Sequence, residues 1–247
     1  MKILNVFKCK NKKRSTFKDR AGKKYEGLNL PNYGEAMFEV ANYLKNWTKI
    51  EPKIIFEIGA NFGQDSDALM QIFKLLPENI YAFEAHPEIY REMQRIQPFQ
   101  CYNYAVFNEN KDITFNIVET SYRNTGLSSI SKLPDVETKP VTVKAIRMDK
   151  FLNDNKINSI DFLKLDAEGY TYEILEGFGD KINNIKSMHI EAEHAEDGIA
   201  HYLFPDIEKF LNNQGFIMVQ FNRMANQSDS LWVKKEFLKC KPEDFKL

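Results

Sequence analysis

Short apolar, β-branched runs alternate with helix-length amphipathic segments from residue 54 onward, and this rhythm constrains the fold more than any other feature of the chain. Ile54-Ile55-Phe56-Glu57-Ile58 reads as a strand ended by Gly59. Asp65 to Leu76 reads as a helix stopped by Pro77, and Ile80-Tyr81-Ala82-Phe83-Glu84 as a second strand. Pro87 to Ile96 is a second helix, with proline in the first turn, where a missing N–H costs little. A third strand is expected over Cys101 to Val106. Strands joined by helices of this length imply right-handed crossovers and a parallel sheet.

The rhythm changes after Phe107. Ile113 to Val118 and Val141 to Ile146 read as strands with no helix between them, joined by residues rich in Ser, Thr, Asn and Gly. A β excursion or a long loop is therefore expected across the ligand-binding side. The sheet resumes at Ile160 to Leu165, followed by a helix from Tyr170 to Phe178, a strand from Ser187 to Ala192 and a helix from Pro205 to Asn213. Phe216 to Phe221 and Ser230 to Lys234 close the chain as an antiparallel pair. The fold class is α/β, a doubly wound, mostly parallel sheet.

The N-terminal part differs. Lys8, Lys10, Lys12, Lys13, Arg14, Lys18, Arg20, Lys23 and Lys24 crowd the first 24 residues, with Asp19 their only acid. Residues 1–33 read as a basic, solvated arm without the apolar face of a membrane-binding helix. Order is expected from Gly34, with a helix over Glu35 to Trp47 that covers the edge or front of the sheet. Residues 34–247 then form a single domain. The formal net charge of −1 argues against a global attraction to nucleic acid. No apolar run reaches the roughly 18 residues of a membrane span, and the first residues do not read as a signal peptide. Cys9, Cys101 and Cys240 are scattered and odd in number, which suits a reducing cytoplasm better than a disulfide framework.

Ligands of open α/β sheets bind at the carboxyl ends of the strands, near the point where strand order reverses. Three polar segments lie at such ends. In Glu57-Ile58-Gly59-Ala60-Asn61-Phe62-Gly63, two glycines permit a tight turn and a close backbone approach. The turn fails the Gly-x-Gly-x-x-Gly dinucleotide fingerprint, because position 61 is Asn, and it has no P-loop lysine. An acid such as Glu57 beside the turn suits a ligand with a cationic amino group better than a pyrophosphate. Glu84 closes the second strand, where a carboxylate can accept from both ribose hydroxyls; a solvated loop acid is the alternative. Lys164-Leu165-Asp166-Ala167-Glu168-Gly169-Tyr170 places two carboxylates between a buried strand and a helix, either to cap that helix or to face a ligand.

Taken in order, these segments resemble the FkbM family of S-adenosylmethionine-dependent methyltransferases. The family's Asp/Glu-x-Gly-Ala-Asn-x-Gly turn, Phe-Glu-x-x-Pro strand end and Lys-x-Asp-x-Glu-Gly segment correspond to Glu57–Gly63, Phe83-Glu84-Ala85-His86-Pro87 and Lys164–Gly169. Asn124 to Ser129 is similar to a further family segment. The likeness spans roughly residues 53 to 220. It implies a Rossmann-like class I methyltransferase with a seven-stranded sheet. It also implies S-adenosylmethionine as cofactor and a methyl ether as the usual product. Glu57, Gly59, Ala60, Asn61 and Gly63 would cradle the methionine part, with Asp166 beside it. Glu84 would hold the ribose, and Ala85 with Asn103 to Ala105 would flank the adenine.

A hydroxyl acceptor must lose a proton as it attacks. Asp166, Glu168, Glu193 and His194 are the candidates, the last two at the tip of the strand that contains His189-Ile190-Glu191. Alternation places His189, Glu191 and Glu193 on one face of that strand and Ile190, Ala192 and His194 on the other. A divalent metal on Asp166, Glu168 and Glu191 or Glu193 is a rival arrangement, but no spacing demands it and no metal ligand is assigned. Asn124 to Ile130 is a candidate cover over the site. The expected acceptor is a small molecule or a glycan; a homo-oligomer is left open. An NAD- or nucleotide-sugar-binding oxidoreductase and a non-catalytic nucleotide-binding module are the competing functions.

Overall fold

The structure is a computed structural model that describes residues 34, 36–118, 128–131, 137–194 and 200–240. The basic arm and residues 124–127 of the expected cover lie outside these. The main sheet has seven strands: β1 (Ile55–Ile58), β2 (Ile80–Phe83), β3 (Gln100–Tyr102), β7 (Phe162–Leu165), β8 (Ser187–Glu193), β9 (Phe216–Arg223) and β10 (Gln227–Lys234). Their order is β3-β2-β1-β7-β8-β10-β9, and β10 alone runs against the others. Strand order therefore reverses between β1 and β7, whose tips lie side by side with Ile58 opposite Leu165.

Both faces of the sheet are covered, as a doubly wound sheet requires. Alternation sorts the side chains. Ile55, Ile80, Phe162, Leu231 and Val233 face α1 (Ala36–Trp47), α2 (Gln64–Phe73) and α3 (Pro87–Ile96), packing on Met37, Val40, Leu44, Leu69 and Met93. Phe56, Ile58, Leu163, Leu165, Met188 and Ile190 face α4 (Met148–Asp154), α5 (Thr171–Gly177) and α6 (Phe204–Asn213), packing on Leu152, Ile174 and Ile207. Each fully buried Leu, Ile or Phe side chain contributes about 1.5–3 kcal/mol, so these two layers hold the sheet together. Ile190 and Ala192 belong to the second layer, as strand alternation requires. At the base of the sheet, Asp161 Oδ2 accepts from the N–H groups of Lys53 and Ile54, both at 2.8 Å, and aligns β1 with β7.

The expected third strand is divided. β3 ends at Tyr102; Asn103 then turns the chain, its side-chain amide donating to the carbonyls of Glu84 (2.8 Å) and Ala85 (3.1 Å). Ala105–Val106 forms β4, which joins a separate three-stranded sheet, β4-β6-β5, with β5 (Lys111–Val118) and β6 (Thr138–Ile146). The break after Phe107 is thus a β excursion. Its small core of Ala105, Ile113, Phe115, Val143 and Ala145 packs on Ala85 and Ile130. The excursion stands over the carboxyl end of the main sheet. Helix α4 had no sequence expectation: seven residues with Asp149, Asn153 and Asp154 among them are too few and too polar for periodicity to reveal.

Candidate active site

A cleft opens where the tips of β1, β2 and β7 meet the β excursion. The turn after β1 forms its floor. Gly59, Asn61 and Gly63 all have left-handed backbones, with φ of 76°, 49° and 74°. A Cβ on Gly59 would lie 1.7 Å from the carbonyl oxygen of Asp166, so only glycine lets the tips of β1 and β7 come together. Gly63 caps α2, and Ala60 is buried in the core; neither lines the cleft. Gly59 and Asn61 do line it.

Glu84 is fixed by the same turn. Its Oε2 accepts from the Asn61 N–H and its Oε1 from the His86 N–H, both at 2.7 Å. Burial pushes its carboxyl up to about 7, against the pull of those N–H groups. Glu57 is also satisfied by backbone, with Oε2 accepting from the Ser66 N–H at 3.0 Å in the first turn of α2. Burial, reinforced by the nearby Asp65, pushes the Glu57 carboxyl up to about 8. Asn61 Oδ1 and Gln64 Oε1, on two cleft-lining residues, are buried acceptors with no hydrogen-bond partner among the described residues. Ala85, Tyr104, Ala105 and Val106 form an apolar flank, closed above by Phe115, Ser128 and Ile130.

The opposite wall is acidic. Asp166 and Glu168 line the cleft, and their carboxylates converge with that of Glu191 so that one oxygen of each lies within 4.8 Å of the others. Behind them lies Lys164, whose Nζ is 3.1 Å from Asp166 Oδ2 while its side chain is only 4% exposed. Burial works against the Lys164 ammonium, but Asp166, Asp65, Asp229 and Glu191 outweigh it and hold its pKa above the ordinary lysine value. Glu191 is pushed up to about 9, first by burial and then by Asp166. Asp65 rises to about 6 through burial. Gln227 donates to Glu191 Oε1 at 3.0 Å. Glu168 takes a left-handed φ of 44°, unusual outside glycine, and its carbonyl accepts from the Ser129 hydroxyl at 3.0 Å. The described end of the expected cover is thereby pinned to the acidic turn.

The four acid–base candidates separate. Asp166 and Glu168 line the cleft; Glu193 and His194 do not. Glu193 is buried in β8. His194 stacks on Phe204 at 4.9 Å, edges onto Phe221 at 6.0 Å, and has its pKa lowered by burial. Sequence reading missed Asp65, Gln64, Phe115 and Asp229. Asp65 alone carried a signal, as an acid in the first turn of a helix whose N-terminus faces the glycine turn.

The profile of the Methyltransferase FkbM domain matches residues 57–218. No curated protein matches the chain. Among solved structures, the FkbM methyltransferase of Methylobacillus flagellatus is similar at 10% identity and a TM-score of 0.49, over 87% of this chain and 58% of that one. The magnesium protoporphyrin IX methyltransferase of Synechocystis, solved with bound S-adenosylmethionine, is similar at 13% identity and a TM-score of 0.46, over 89% of this chain and 92% of that one. A methyltransferase of Aquifex aeolicus gives 13% identity and a TM-score of 0.44, over 87% and 98%. The sequence match covers well over half of the chain and includes the glycine turn, Glu84 and the acidic wall: the chain belongs to the FkbM methyltransferase family.

Proposed function

We propose that the chain transfers the methyl group of S-adenosylmethionine to a hydroxyl oxygen of a small-molecule or glycan acceptor. The observation that carries this reading is the state of Glu84. Its two oxygens accept the Asn61 and His86 N–H groups, with the Ala85 N–H also directed at the carboxyl, and can take a further pair of donors at the edge of a cleft flanked by Ala85 and Ala105. Two ribose hydroxyls are such a pair of donors. Glu57, Asn61 and Gln64 supply acceptors for an ammonium group, and the apolar flank suits an adenine. The residues present therefore fit the cofactor.

When bound, S-adenosylmethionine supplies a methyl group on a sulfonium, already activated toward displacement. The protein then has to align the acceptor, exclude water and remove a proton. Asp166 and Glu168 stand at the cleft wall for that work, with Lys164 holding Asp166 in place. An acidic wall also favours attack by a neutral hydroxyl over an anionic acceptor group. A divalent ion on Asp166, Glu168 and Glu191 is a second arrangement that their convergence allows; Lys164 already supplies a cation there.

The test is incubation of the full chain with methyl-tritiated S-adenosylmethionine and methyl glycosides or uridine diphosphate sugars, with mass analysis of the product. A methyl ether supports the reading. Label on nitrogen, or no label on any hydroxyl, contradicts it. Chelation by EDTA distinguishes the metal arrangement, which alone requires an added divalent ion for turnover.

A further inference from the structure

We propose that the end of the molecule opposite the cleft is a docking surface for the headgroup layer of an anionic bilayer. Strand β1 and helix α2 both run between the two ends. β1 finishes, and α2 begins, at the glycine turn that floors the cleft, so the segment before β1 and the last turn of α2 lie at the far end. There Lys45, Lys49, Lys53, Lys74 and Lys239 line a second groove, with Glu51 its only acid among the described residues. Ile50, Ile72, Phe73 and Leu75 give the groove an apolar lining between the lysines.

All five lysines are exposed, and none is ion-paired with a carboxylate among the described residues. Their polar contacts go to carbonyls: Lys239 Nζ donates to that of Lys45 at 2.7 Å, and Lys49 Nζ to that of Glu236 at 3.4 Å. Lys45 Nζ lies over the Phe73 ring, 5.3 Å from its centroid. Lysines at helix C-termini offset the helix dipole, which accounts for Lys45 and Lys239 at the end of α1 and for Lys74 at the end of α2. It does not account for Lys49 and Lys53, which lie between α1 and β1. In a chain with a formal net charge of −1, this is a local positive field with no internal counter-charge to match it.

Charge alone would fit any polyanion; the rim of the groove selects the bilayer. Trp47, the last residue of α1, is 42% exposed, and Leu76, two residues beyond the end cap of α2, is 59% exposed. Each adjoins a residue that lines the groove, Thr48 and Leu75, and the Trp47 carbonyl accepts from the Lys239 N–H at 2.9 Å. They are two of the four large hydrophobic side chains exposed among the described residues, and both stand beside lysines. Tryptophan settles at headgroup depth, leucine gains by entering the acyl boundary, and lysines meet anionic headgroups. A nucleic acid offers no apolar layer for an exposed leucine. A chain docked by this end keeps its cleft turned away from the bilayer and open to an acceptor.

The test follows tryptophan emission of the full chain mixed with vesicles of phosphatidylglycerol and phosphatidylcholine in equal parts. The chain has two tryptophans, and Trp232 is fully buried, so a change reports Trp47. The expected result is a blue shift that salt suppresses, that phosphatidylcholine alone does not produce and that Trp47→Phe loses. Replacing Lys49, Lys53 and Lys74 together by glutamine should weaken vesicle affinity about 10²-fold and leave S-adenosylmethionine affinity unchanged. Co-sedimentation with vesicles but no Trp47 shift, or undiminished affinity in the triple variant, puts the contact elsewhere, as on the basic arm, and overturns the proposal. An equal shift with phosphatidylcholine alone, or with a short DNA duplex, also overturns it.

Discussion

The two walls of the cleft are built in opposite ways. On the β1–β2 side, backbone does the work: Glu84 and Glu57 are held by the N–H groups of Asn61, His86 and Ser66, and left-handed residues fix the turn. On the β7–β8 side, side chains do it: Asp166, Glu168, Glu191, Asp65 and Asp229 crowd around a single buried lysine. A backbone-built wall is rigid and tolerates little change. A wall of like charges is poised, and its state depends on protons, counter-charges and whatever ligand arrives. The difference separates a half suited to holding a constant cofactor from a half suited to chemistry on an acceptor.

The largest expected effect breaks the rigid wall. Gly59→Ala puts a Cβ against the Asp166 carbonyl and forces alanine into a left-handed backbone. Chemical denaturation should show a loss of about 4 kcal/mol or more. Gly215→Ala is the control: its φ is also positive, 78°, but nothing lies within 4 Å, so the cost should be about 1 kcal/mol. Equal losses would mean that the close approach of the β1 and β7 tips is unimportant.

Next comes the poised wall. Lys164→Met keeps the volume and removes the cation that Asp65, Asp166, Glu191 and Asp229 surround. Breaking a buried ion pair in this way should cost about 3 kcal/mol at neutral pH, less under acid, where the carboxyls are protonated. A loss that does not depend on pH would reduce Lys164 to packing. Glu84→Ala should weaken S-adenosylmethionine binding by about 1–3 kcal/mol in calorimetry, with fold stability changed less than by Gly59→Ala. Unchanged affinity would remove Glu84 from the cofactor site.

The pH dependence of the ligand-free chain reads the buried carboxyls of both walls together. Raised carboxyls keep a proton in the folded state that the unfolded chain has released, so their contribution is full below about pH 4 and is lost as pH rises through the folded values. Those values are about 6 for Asp65, 7 for Glu84, 8 for Glu57 and 9 for Glu191. The Tm should fall between pH 6 and pH 9, and by less in the Glu191→Gln variant. A Tm that rises over this range contradicts the burial of these groups.

The same contrast explains what the sequence made legible. Gly59, Gly63, Glu84 and the strand–helix rhythm are local: each follows from a few consecutive residues and the turn they must make. Asp166 and Glu168 were legible because both sit on one strand tip. Asp229, Gln227 and Asp65 reach the acidic wall from β10 and α2, which only the sheet order brings beside β7. Glu193 and His194 were placed at a strand tip correctly, but β8 ends at Glu193, and His194 turns into the Phe204–Phe221 corner. The division of Cys101–Val106 between two sheets was hidden for a related reason. Apolar alternation marks a strand but not its partner, and Asn103 redirects the chain through bonds to residues some 18 positions earlier.

The most direct test of the central claim is isothermal calorimetry of the full chain with S-adenosylmethionine and S-adenosylhomocysteine, with NAD as control. The account predicts micromolar binding of both sulfur nucleosides, weakened by about 1–3 kcal/mol in Glu84→Ala, and none of NAD. Binding of NAD by a well-folded chain that ignores both sulfur nucleosides would contradict it.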